Sequence, residues 1–246
     1  MFDYTAPAGL LKDRVILVTG AGAGIGRAAA IAYAAHGATV ILSGRTVENL
    51  EAVYDEIVAA GYTEPAICPL NLNETNYEPY EQIAEVIEEE FGRLDGVLHN
   101  AGQLGQITPL ENARVDTWYQ IMQVNVSAAF MLTKALLPLL KLAPDASIVF
   151  TSSSVGRKGR AHWGAYAVSK FAVEGLMQVL ADELENISNI RVNSINPGAT
   201  NTTMRRLAFP GELASRNPDP ASIMPAYLFL MGADAKGTNG QALDAQ

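Results

Sequence analysis

The chain has little of what disulfide-bonded, nucleic-acid-binding and membrane-spanning proteins require. Its one cysteine, Cys68, excludes an intrachain disulfide and suits a reducing compartment. With 26 acidic and 17 basic residues the net charge is -9, which argues against a nucleic-acid partner because phosphates are bound by basic surfaces. The longest nearly apolar run, residues 28–42, is interrupted by His36 and Gly37, and no basic segment followed by an apolar run opens the chain. We therefore expect a cytoplasmic protein without a signal peptide, a membrane span or a metal site.

What the sequence does have is length and an alternating pattern. At 246 residues and 49% hydrophobic composition, it predicts one domain, residues 1–246, with an ample core. Short β-branched runs alternate with longer helical patterns, which predicts a single-domain, Rossmann-type α/β fold with a doubly wound parallel sheet of about seven strands and helices on both faces. The predicted strands are 14–19, 39–42, 66–70, 94–99, 147–151, 190–195 and 241–244. The predicted helices are 25–35, 47–60, 77–91, 114–140, 165–186 and 221–231, the fourth bent or stopped near Pro138.

One long segment, residues 199–220, lacks a regular pattern. Long irregular segments in compact domains are often functional, and this one is predicted to be a lid over the site. Ligands of open parallel sheets bind at the carboxyl ends of the strands. The candidate residues described next mostly follow predicted strands, so we expect them to meet at that edge of the sheet.

Ser153, Tyr166 and Lys170 form the candidate catalytic group. Tyr166 and Lys170 are four residues apart in a predicted helix, so they share one face of it. An ammonium beside a phenol favours ionisation of the phenol, whose usual pKa is about 10. Ser153 lies thirteen residues before Tyr166, at the end of a predicted strand, where its hydroxyl can reach the same point. Together these groups suit proton exchange with an oxygen bonded to carbon, which is half of a carbonyl reduction.

A glycine-rich turn joins the first predicted strand to the first helix. Its members, Gly20, Gly22, Gly24, Ile25 and Gly26, follow the spacing Gly-x-x-x-Gly-x-Gly and not the Gly-x-Gly-x-x-Gly fingerprint of larger dinucleotide-binding folds. Glycines let the backbone approach a pyrophosphate, and the helix N-terminus offers free N–H groups. The alternative is a small-residue turn required only for tight strand–helix packing. Its position between a strand and a helix favours nucleotide binding.

The end of the second predicted strand distinguishes between two cofactors. An NAD site usually has Asp or Glu here to accept a hydrogen bond from the ribose 2′-hydroxyl, but this chain has Ser43-Gly44-Arg45. The guanidinium of Arg45 can pair with a 2′-phosphate, so NADP(H) is predicted ahead of NAD(H). The alternatives are that Arg45 is a solvated loop cation or that NAD(H) is the cofactor.

These residues together resemble the short-chain dehydrogenases/reductases, in their single-domain branch, over nearly the whole chain. The matching motifs are Thr19-Gly20-x-x-x-Gly24-Ile25-Gly26, Asn100-Ala101-Gly102, Asn125, Ser153, Tyr166-x-x-x-Lys170 and Asn196-Pro197-Gly198 with Thr202. The segment 156–166, Phe209-Pro210 and the ending 229–246 resemble a bacterial subgroup, the YciK-type oxidoreductases. That resemblance does not define a substrate.

The resemblance implies a role for each catalytic candidate. Tyr166 exchanges the proton with the substrate oxygen, and Ser153 positions that oxygen. Lys170 binds the nicotinamide ribose and lowers the phenol pKa, while Asn125 holds a water that connects the lysine to solvent. The implied cofactor-binding residues are Gly20, Gly22, Gly24, Ile25, Gly26, Ser43, Arg45, Asn71, Leu72, Asn100, Ala101, Gly102, Tyr166, Lys170, Pro197, Gly198 and Thr202.

Three positions depart from the usual pattern of the family. His99 stands where family members often have Asn, and we interpret it as a strand-end residue with satisfied hydrogen bonds. Asn71 replaces an Asp that often meets the adenine, and its amide oxygen can still accept that bond. Ser152 and Ser154 flank Ser153, so the catalytic serine is assigned by its spacing from the tyrosine.

A local excess of positive charge bears on the substrate. Residues 146–173 contain no acidic residue but include Arg157, Lys158, Arg160 and Lys170. This field could steer an anionic substrate such as a carboxylate, phosphate or carrier-bound thioester, although solvated loop cations are an equally good interpretation. The predicted substrate-contacting residues are Gln103, Arg157, Arg160 and Trp163.

The sequence favours one activity and leaves others open. The main hypothesis is hydride transfer between NADP(H) and a carbonyl or secondary alcohol, with Tyr166 as general acid/base. The alternatives are an NAD-linked alcohol dehydrogenase and a non-catalytic NADP(H)-binding redox sensor. Helices 114–140 and 165–186 carry apolar residues on more than one face, and the resemblance implies a homodimer or homotetramer through them.

Overall fold

The structure, a computed structural model, describes residues 2–246 and confirms the predicted α/β fold. Seven strands form one parallel sheet in the order β3-β2-β1-β4-β5-β6-β7. The strands are β1 Val15–Thr19, β2 Thr39–Gly44, β3 Ala66–Pro69, β4 Gly96–His99, β5 Ala146–Thr151, β6 Ile190–Asn196 and β7 Ala242–Asp244. The α-helices are α1 Gly24–Ala35, α2 Val47–Ala59, α3 Glu78–Phe91, α4 Val115–Met122, α5 Ala128–Lys141, α6 Gly164–Leu184, α7 Thr203–Ala208 and α8 Met224–Met231.

The sheet is apolar on both faces because helices cover both of them. Strand β5 is buried at every position, as a central strand of a doubly wound sheet must be. Side chains alternate between the two faces, so Leu17 packs with helices α3, α5 and α6, whereas its neighbours Ile16 and Val18 pack with α1, α2 and α8. Two hydrophobic cores result, one on each side of the sheet.

The strand order reverses between β1 and β4. Strand β1 pairs with β2 on one side, in register Val15↔Thr39, and with β4 on the other, in register Ile16↔Gly96. The strands that follow β1 in the chain, β2 and β3, therefore extend the sheet on one side of β1, and strands β4 to β7 extend it on the other side. A crevice opens at the carboxyl ends of strands flanking such a switch point, and this is where ligands bind in open α/β sheets.

The long helix predicted over 114–140 is interrupted, but not where Pro138 predicted it. Helix α5 continues through Pro138 to Lys141, and a π-helical turn, Gln123–Ser127, separates α4 from α5 instead. π-Turns insert an extra residue into a helix and frequently occur at functional sites. The whole run Val115–Lys141 is long and apolar enough to cross a membrane, but 56% of its most apolar window is buried inside the protein, as expected of a core helix.

The predicted lid is more ordered than its sequence suggested. The segment 199–220 contains helix α7 and a short 3₁₀ turn, Ala214–Arg216. Thr202 caps α7 by accepting a hydrogen bond from the Arg205 backbone at 3.1 Å. The side chain of Arg205 forms a two-point ion pair with Glu212 at 2.6 and 2.8 Å. The segment therefore has its own helix and its own ion pair.

Candidate active site

The glycine turn performs two different tasks. Gly20 and Gly24 have φ of +68° and +55°, a conformation that favours glycine. A Cβ at Gly22 would come 2.9 Å from Asn49 Cβ, and one at Gly26 would overlap the Gly20 carbonyl and approach Asn100 Nδ2 to 2.6 Å. Gly22 and Gly26 are thus required for close packing, the alternative raised from the sequence, and Gly20, Gly22 and Gly24 also line an open cavity.

This cavity lies along the carboxyl ends of the central strands and has a volume of about 390 Å³. Its lining runs from the β1–α1 turn to the catalytic candidates on α6 and to the start of the lid. The predicted residues that line it are Gly20, Gly22, Gly24, Ile25, Ser43, Arg45, Leu72, Asn100, Ala101, Gly102, Gln103, Tyr166, Lys170, Pro197 and Thr202. The lining residues not predicted include Thr19, Thr46, Asn49, Asn73, Thr151, Ser152, Thr203 and Met204.

Thr19 organises the floor of the cavity, and its role was missed from the sequence. Its Oγ1 accepts hydrogen bonds from the backbone N–H groups of Asn100 at 3.0 Å and Ala101 at 3.1 Å. The side chain of Asn100 returns a bond to the Thr19 carbonyl at 3.3 Å. These bonds hold the loop after β4 against the end of β1. A hydroxyl at the end of a strand, next to the glycine turn, was the available signal.

Tyr166 and Lys170 are both buried at one end of the cavity. Lys170 Nζ donates to the Thr151 carbonyl at 2.7 Å and lies 5.6 Å from the centre of the Tyr166 ring. Burial lowers the pKa of Lys170 to about 8, an effect that the nearby Glu174 carboxylate opposes. The lysine is therefore close to its titration point at physiological pH.

The tyrosine does not behave as the sequence predicted. Burial raises the pKa of Tyr166 to about 12, while a hydrogen bond with Ser153 acts in the opposite direction. The expected lowering of the phenol pKa by Lys170 is not found in the protein's own contacts. The reason is that the ammonium is directed at the Thr151 carbonyl, and the cost of a buried phenolate exceeds what the surrounding groups offer.

Ser153 begins a short turn that brings it to the tyrosine. It is the N-cap of the 3₁₀ turn Ser154–Gly156, and its Oγ accepts from the Val155 backbone at 3.4 Å. Its neighbour Ser152 is only 1% exposed and lines the cavity. Within residues 2–246, the hydroxyls of Ser152 and Thr151 are buried without a hydrogen-bond partner. Buried polar atoms of this kind are rare in folded proteins; the Thr151 hydroxyl lies beside the buried Tyr227 hydroxyl, which leaves Ser152 as the one of the two that is available to a ligand.

Asn125 lies in the π-turn, and both the oxygen and the nitrogen of its side-chain amide make hydrogen bonds within the protein. Its Oδ1 accepts from the Gln103 backbone N–H at 2.8 Å, and its Nδ2 donates to the Gln103 carbonyl at 3.0 Å and to Ser169 Oγ at 2.9 Å. The Ser169 hydroxyl donates to the Tyr166 carbonyl at 2.7 Å. Asn125 thus connects the cavity wall at Gln103 to α6, the helix that carries Tyr166 and Lys170.

The far end of the cavity is built to receive an anion. Arg45 is exposed there beside Thr46 and Asn49. In the part of the chain that the structure describes, no carboxylate pairs with Arg45 and its side chain makes no hydrogen bond. An unpaired guanidinium at the end of β2 is free to bind a phosphate with its fork of donors.

Two predicted cofactor residues are displaced from the cavity. The Oδ1 of Asn71 accepts a hydrogen bond from the Asn73 backbone at 3.2 Å, so it serves a local turn, and Asn73 lines the cavity in its place. Gly198 has a φ of +70°, and a Cβ there would come 2.7 Å from the side chain of Gln246. Gly198 therefore shapes the turn after β6 while Pro197 faces the cavity.

The predicted substrate residues separate into two groups. Arg157 is engaged with Glu174, Asp244 and the Leu243 carbonyl, so its guanidinium is committed to the protein and the predicted substrate contact is not supported. Arg160 instead lies over the rings of Trp163 and Phe209, at 5.9 and 5.6 Å.

Trp163 forms an aromatic wall beside the phenol. The ring of Trp163 is 5.7 Å from that of Tyr166 and 5.8 Å from that of Phe209 on the lid. Leu104, Val155 and Met204 complete this small cluster. The wall contacts the ring of Tyr166, the predicted general acid/base, directly.

His99 is structural, in agreement with the interpretation of its sequence position. Its Nε2 lies 2.8 Å from Thr133 Oγ1, and its ring stacks on Phe150 at 4.7 Å. Burial lowers its pKa to about 3, so the imidazole is neutral at physiological pH.

Comparisons with known proteins agree with this architecture. The profile of the short chain dehydrogenase family matches residues 14–212. The oxidoreductase YciK of Escherichia coli strain K12 is 53% identical over 243 residues, which cover 99% of this chain and 96% of YciK. A short chain dehydrogenase structure from Pseudomonas syringae is 62% identical with a TM-score of 0.99, covering 100% of both chains. One from Escherichia coli CFT073, solved in complex with NADPH, is 54% identical with a TM-score of 0.95, covering 98% of this chain and 100% of that one. The chain therefore belongs to the short-chain dehydrogenase family and is an oxidoreductase.

Proposed function

We propose that this protein is a single-domain NADP(H)-dependent carbonyl reductase or alcohol dehydrogenase, with Tyr166 as general acid/base. The observation that carries the proposal is one continuous cavity with an unpaired guanidinium, Arg45, at one end and the buried pair Tyr166 and Lys170 at the other. The similar Escherichia coli CFT073 protein was solved with NADPH, which supports the same cofactor here.

The residues present fit a dinucleotide. Gly20, Gly22 and Gly24 line the cavity at the N-terminus of α1, where N–H groups suit a pyrophosphate. Arg45 would pair with the 2′-phosphate, and the unpartnered hydroxyl of Ser152 lies at the nicotinamide end. When bound, NADP(H) supplies or accepts the hydride. The protein's own part is to position the substrate and to manage a proton.

Tyr166 is proposed to be the group that exchanges a proton with the substrate oxygen. With a pKa of about 12 the phenol is protonated at neutral pH, so it can donate to a developing alkoxide oxygen. Ser153, hydrogen-bonded to the phenol, would hold the same oxygen. Lys170 is fixed at the Thr151 carbonyl, from where its ammonium would bind the ribose hydroxyls beside the nicotinamide. At neutral pH the site therefore holds the phenol in the protonated form that carbonyl reduction uses.

The substrate is proposed to be a small carbonyl or alcohol, and an anionic one is favoured by Arg160. This guanidinium stands over the aromatic wall beside the phenol, and in the described residues no carboxylate pairs with it. Gln103 also lines the cavity and would contact the same molecule.

The proposal also includes the oligomeric state of the protein and its cellular compartment. Apolar side chains are exposed on α4, α5 and α6, the elements expected to form a dimer or tetramer. They are Val115, Tyr119, Phe130, Val168, Phe171 and Val179. We place the protein in the cytoplasm because its one thiol, Cys68, is free and half-buried.

The first experiment is calorimetric titration of the protein with NADPH and NADH side by side. We expect tight NADPH binding and weak NADH binding, with the preference reduced in Arg45→Lys, which keeps the charge but loses the fork, and lost in Arg45→Ala. Equal affinity for the two cofactors would favour the NAD-linked alternative.

The same protein is then assayed with NADPH and cyclohexanone. We expect Tyr166→Phe to lower kcat by roughly 10² to 10⁴ with unchanged NADPH affinity, because only proton transfer is lost. Tyr62→Phe, a change at an exposed tyrosine, is the matched control. Tight NADPH binding without turnover of any carbonyl would favour the redox-sensor alternative.

A further inference from the structure

Arg157 ends the turn that carries Ser153, and its guanidinium joins that turn to two other elements. Its Nε lies 3.4 Å from Glu174 Oε1 on α6. Its Nη1 donates to Asp244 Oδ1 at 2.9 Å, and its Nη2 donates to the Leu243 carbonyl at 2.8 Å, both on β7. All three nitrogens are used, and the planar fork fixes their relative directions.

The contacts of Arg157 with Glu174, Asp244 and Leu243 are called the brace below. Glu174 connects this brace to α6, the helix that carries Tyr166 and Lys170. It lies four residues after Lys170 and eight after Tyr166, so it shares their face of α6. It is only 6% exposed, and its Oε2 accepts a hydrogen bond from Ser194 Oγ at 2.6 Å. A buried carboxylate requires partners, and Arg157 is the cation that compensates it among the described residues.

Asp244 extends the brace toward the nicotinamide end of the cavity. The same Oδ1 that receives Arg157 also accepts from Asn196 Nδ2 at 2.8 Å. The side-chain oxygen of Asn196 in turn accepts from the Gly198 backbone at 3.2 Å. This turn presents Pro197 to the cavity. One guanidinium thus connects, through two residues, to the loop that follows β6.

The serine turn itself rests on the catalytic lysine. A Cβ at Gly156 would come 2.8 Å from Lys170 Cβ and 2.9 Å from the Lys170 carbonyl carbon. The backbone of the turn therefore packs directly against α6 at Gly156, with no room for a side chain. A change in how Arg157 holds the end of the turn would shift Ser153 relative to Tyr166.

We propose that Arg157 is a positioning residue, which braces the Ser153 turn against α6 through Glu174 and against β7 through Asp244, and so fixes the Ser153 hydroxyl at the Tyr166 phenol. This rests on the proposed reaction, in which those two hydroxyls act on one substrate oxygen. It replaces the substrate contact predicted for Arg157 from the sequence.

Kinetics with NADPH and cyclohexanone test the effect on the reaction. We expect Arg157→Ala to lower kcat roughly tenfold to a hundredfold when the rate is divided by the concentration of NADPH-binding sites, because small misplacements of reacting groups are costly. The Kd for NADPH should change by less than about twofold. Arg157→Lys restores one ionic contact but not the fork, so we expect thermal stability to recover while kcat stays low. Should the alanine variant fail to fold, Asp244→Ala, at an exposed side chain, removes the ion pair with β7 while the bond to the Leu243 carbonyl remains, and it should still lower kcat.

The control is Lys158→Ala, which removes the adjacent exposed cation and should leave kcat unchanged. The proposal is overturned if Arg157→Ala keeps wild-type kcat per NADPH-binding site. It is also overturned if kcat in Arg157→Lys returns together with thermal stability, because a merely structural residue would behave in that way.

Amide hydrogen exchange separates this proposal from the proposed reaction, since it requires no turnover. In Arg157→Ala we expect faster exchange confined to residues 153–157 and 196–198, whereas Lys158→Ala should match the wild type. Unchanged exchange in both segments, or equal acceleration throughout the protein, would exclude the brace. Should the wild-type protein reduce no carbonyl while these segments respond as expected, the reaction fails and the brace stands.

Discussion

At the scale of the residue, the surroundings of a side chain decide its chemistry more than its identity does. Arg157 and Arg160 are three positions apart and carry the same charge, yet one is held by Glu174 and Asp244 and the other lies over two aromatic rings. Only the second is free to meet a substrate. The sequence could not separate them, because Glu174 and Asp244 lie 17 and 87 residues away along the chain.

This difference predicts a selective effect of Arg160 on anionic substrates. Cyclohexanone and 4-oxocyclohexanecarboxylate differ by one carboxylate, so their ratio of kcat/KM isolates the charge. We expect Arg160→Gln to lower kcat/KM for the anionic ketone by about threefold to tenfold and to leave the neutral one unchanged, because an exposed charge-assisted hydrogen bond is lost. Lys158→Gln serves as the control. A loss that is equal for both ketones would point to packing against Trp163 and not to charge.

Lys170 predicts a dependence of stability on pH. Its pKa is lowered from 10.5 to about 8, so between these values the unfolded chain binds more protons than the folded protein. The penalty for burying the lysine is therefore complete below pH 8 and is removed as the pH rises toward 10.5. Chemical unfolding of wild type and Lys170→Met, compared at pH 7 and pH 10, should show their difference in unfolding free energy shifting by about 2–3 kcal/mol in favour of the wild type at the higher pH. A pH-independent difference would contradict the shifted pKa.

At the scale of the element, the turn between β1 and α1 depends on a glycine that lies outside the cavity. A Cβ at Gly26 would overlap the Gly20 carbonyl, so Gly26→Ala should separate α1 from β1, cost about 1–3 kcal/mol and weaken NADPH binding. Gly211 in the predicted lid is the control, because a Cβ there would meet only open space and its φ is not positive. Gly211→Ala should change the stability by less than about 0.5 kcal/mol because the position is exposed. Thermal unfolding and calorimetry measure both effects; a neutral Gly26→Ala would mean that the turn can open.

Elements were predicted from the sequence more successfully than the details of their interior. The strands and the helices other than α7 were found because each carries a run of apolar residues with its own period, whereas α7 is a short helix inside the segment predicted to be irregular. The π-turn at Gln123–Ser127 was not found, because its stabilising contact, Asn125 with Gln103 and Ser169, joins three separate parts of the chain. Likewise the spacing of Tyr166 and Lys170 predicted their shared face, but only the fold shows how deeply the phenol is buried and hence the direction of its pKa.

At the scale of the whole molecule, the exposed apolar faces of α4, α5 and α6 predict self-association. Light scattering at micromolar concentration should give two or four times the chain mass of 26.2 kDa. Phe171→Arg, on α6, should shift the protein toward the monomer because a charge would be buried at the interface. Val86→Arg, on α3, also replaces an exposed apolar residue and should have no effect. A monomeric wild type would contradict the prediction.

The strand order described above also has a consequence for synthesis on the ribosome. Strand β1 is central in the sheet, but its partner β4 begins 81 residues after it, so the first three strands emerge with one apolar edge of β1 unpaired. Such an edge can pair with another nascent chain, and parallel sheets close slowly because their pairing is non-local. Strand β4 in turn presents its own edge until β5 emerges, so the chain should be most prone to aggregation before residue 151 has left the ribosome.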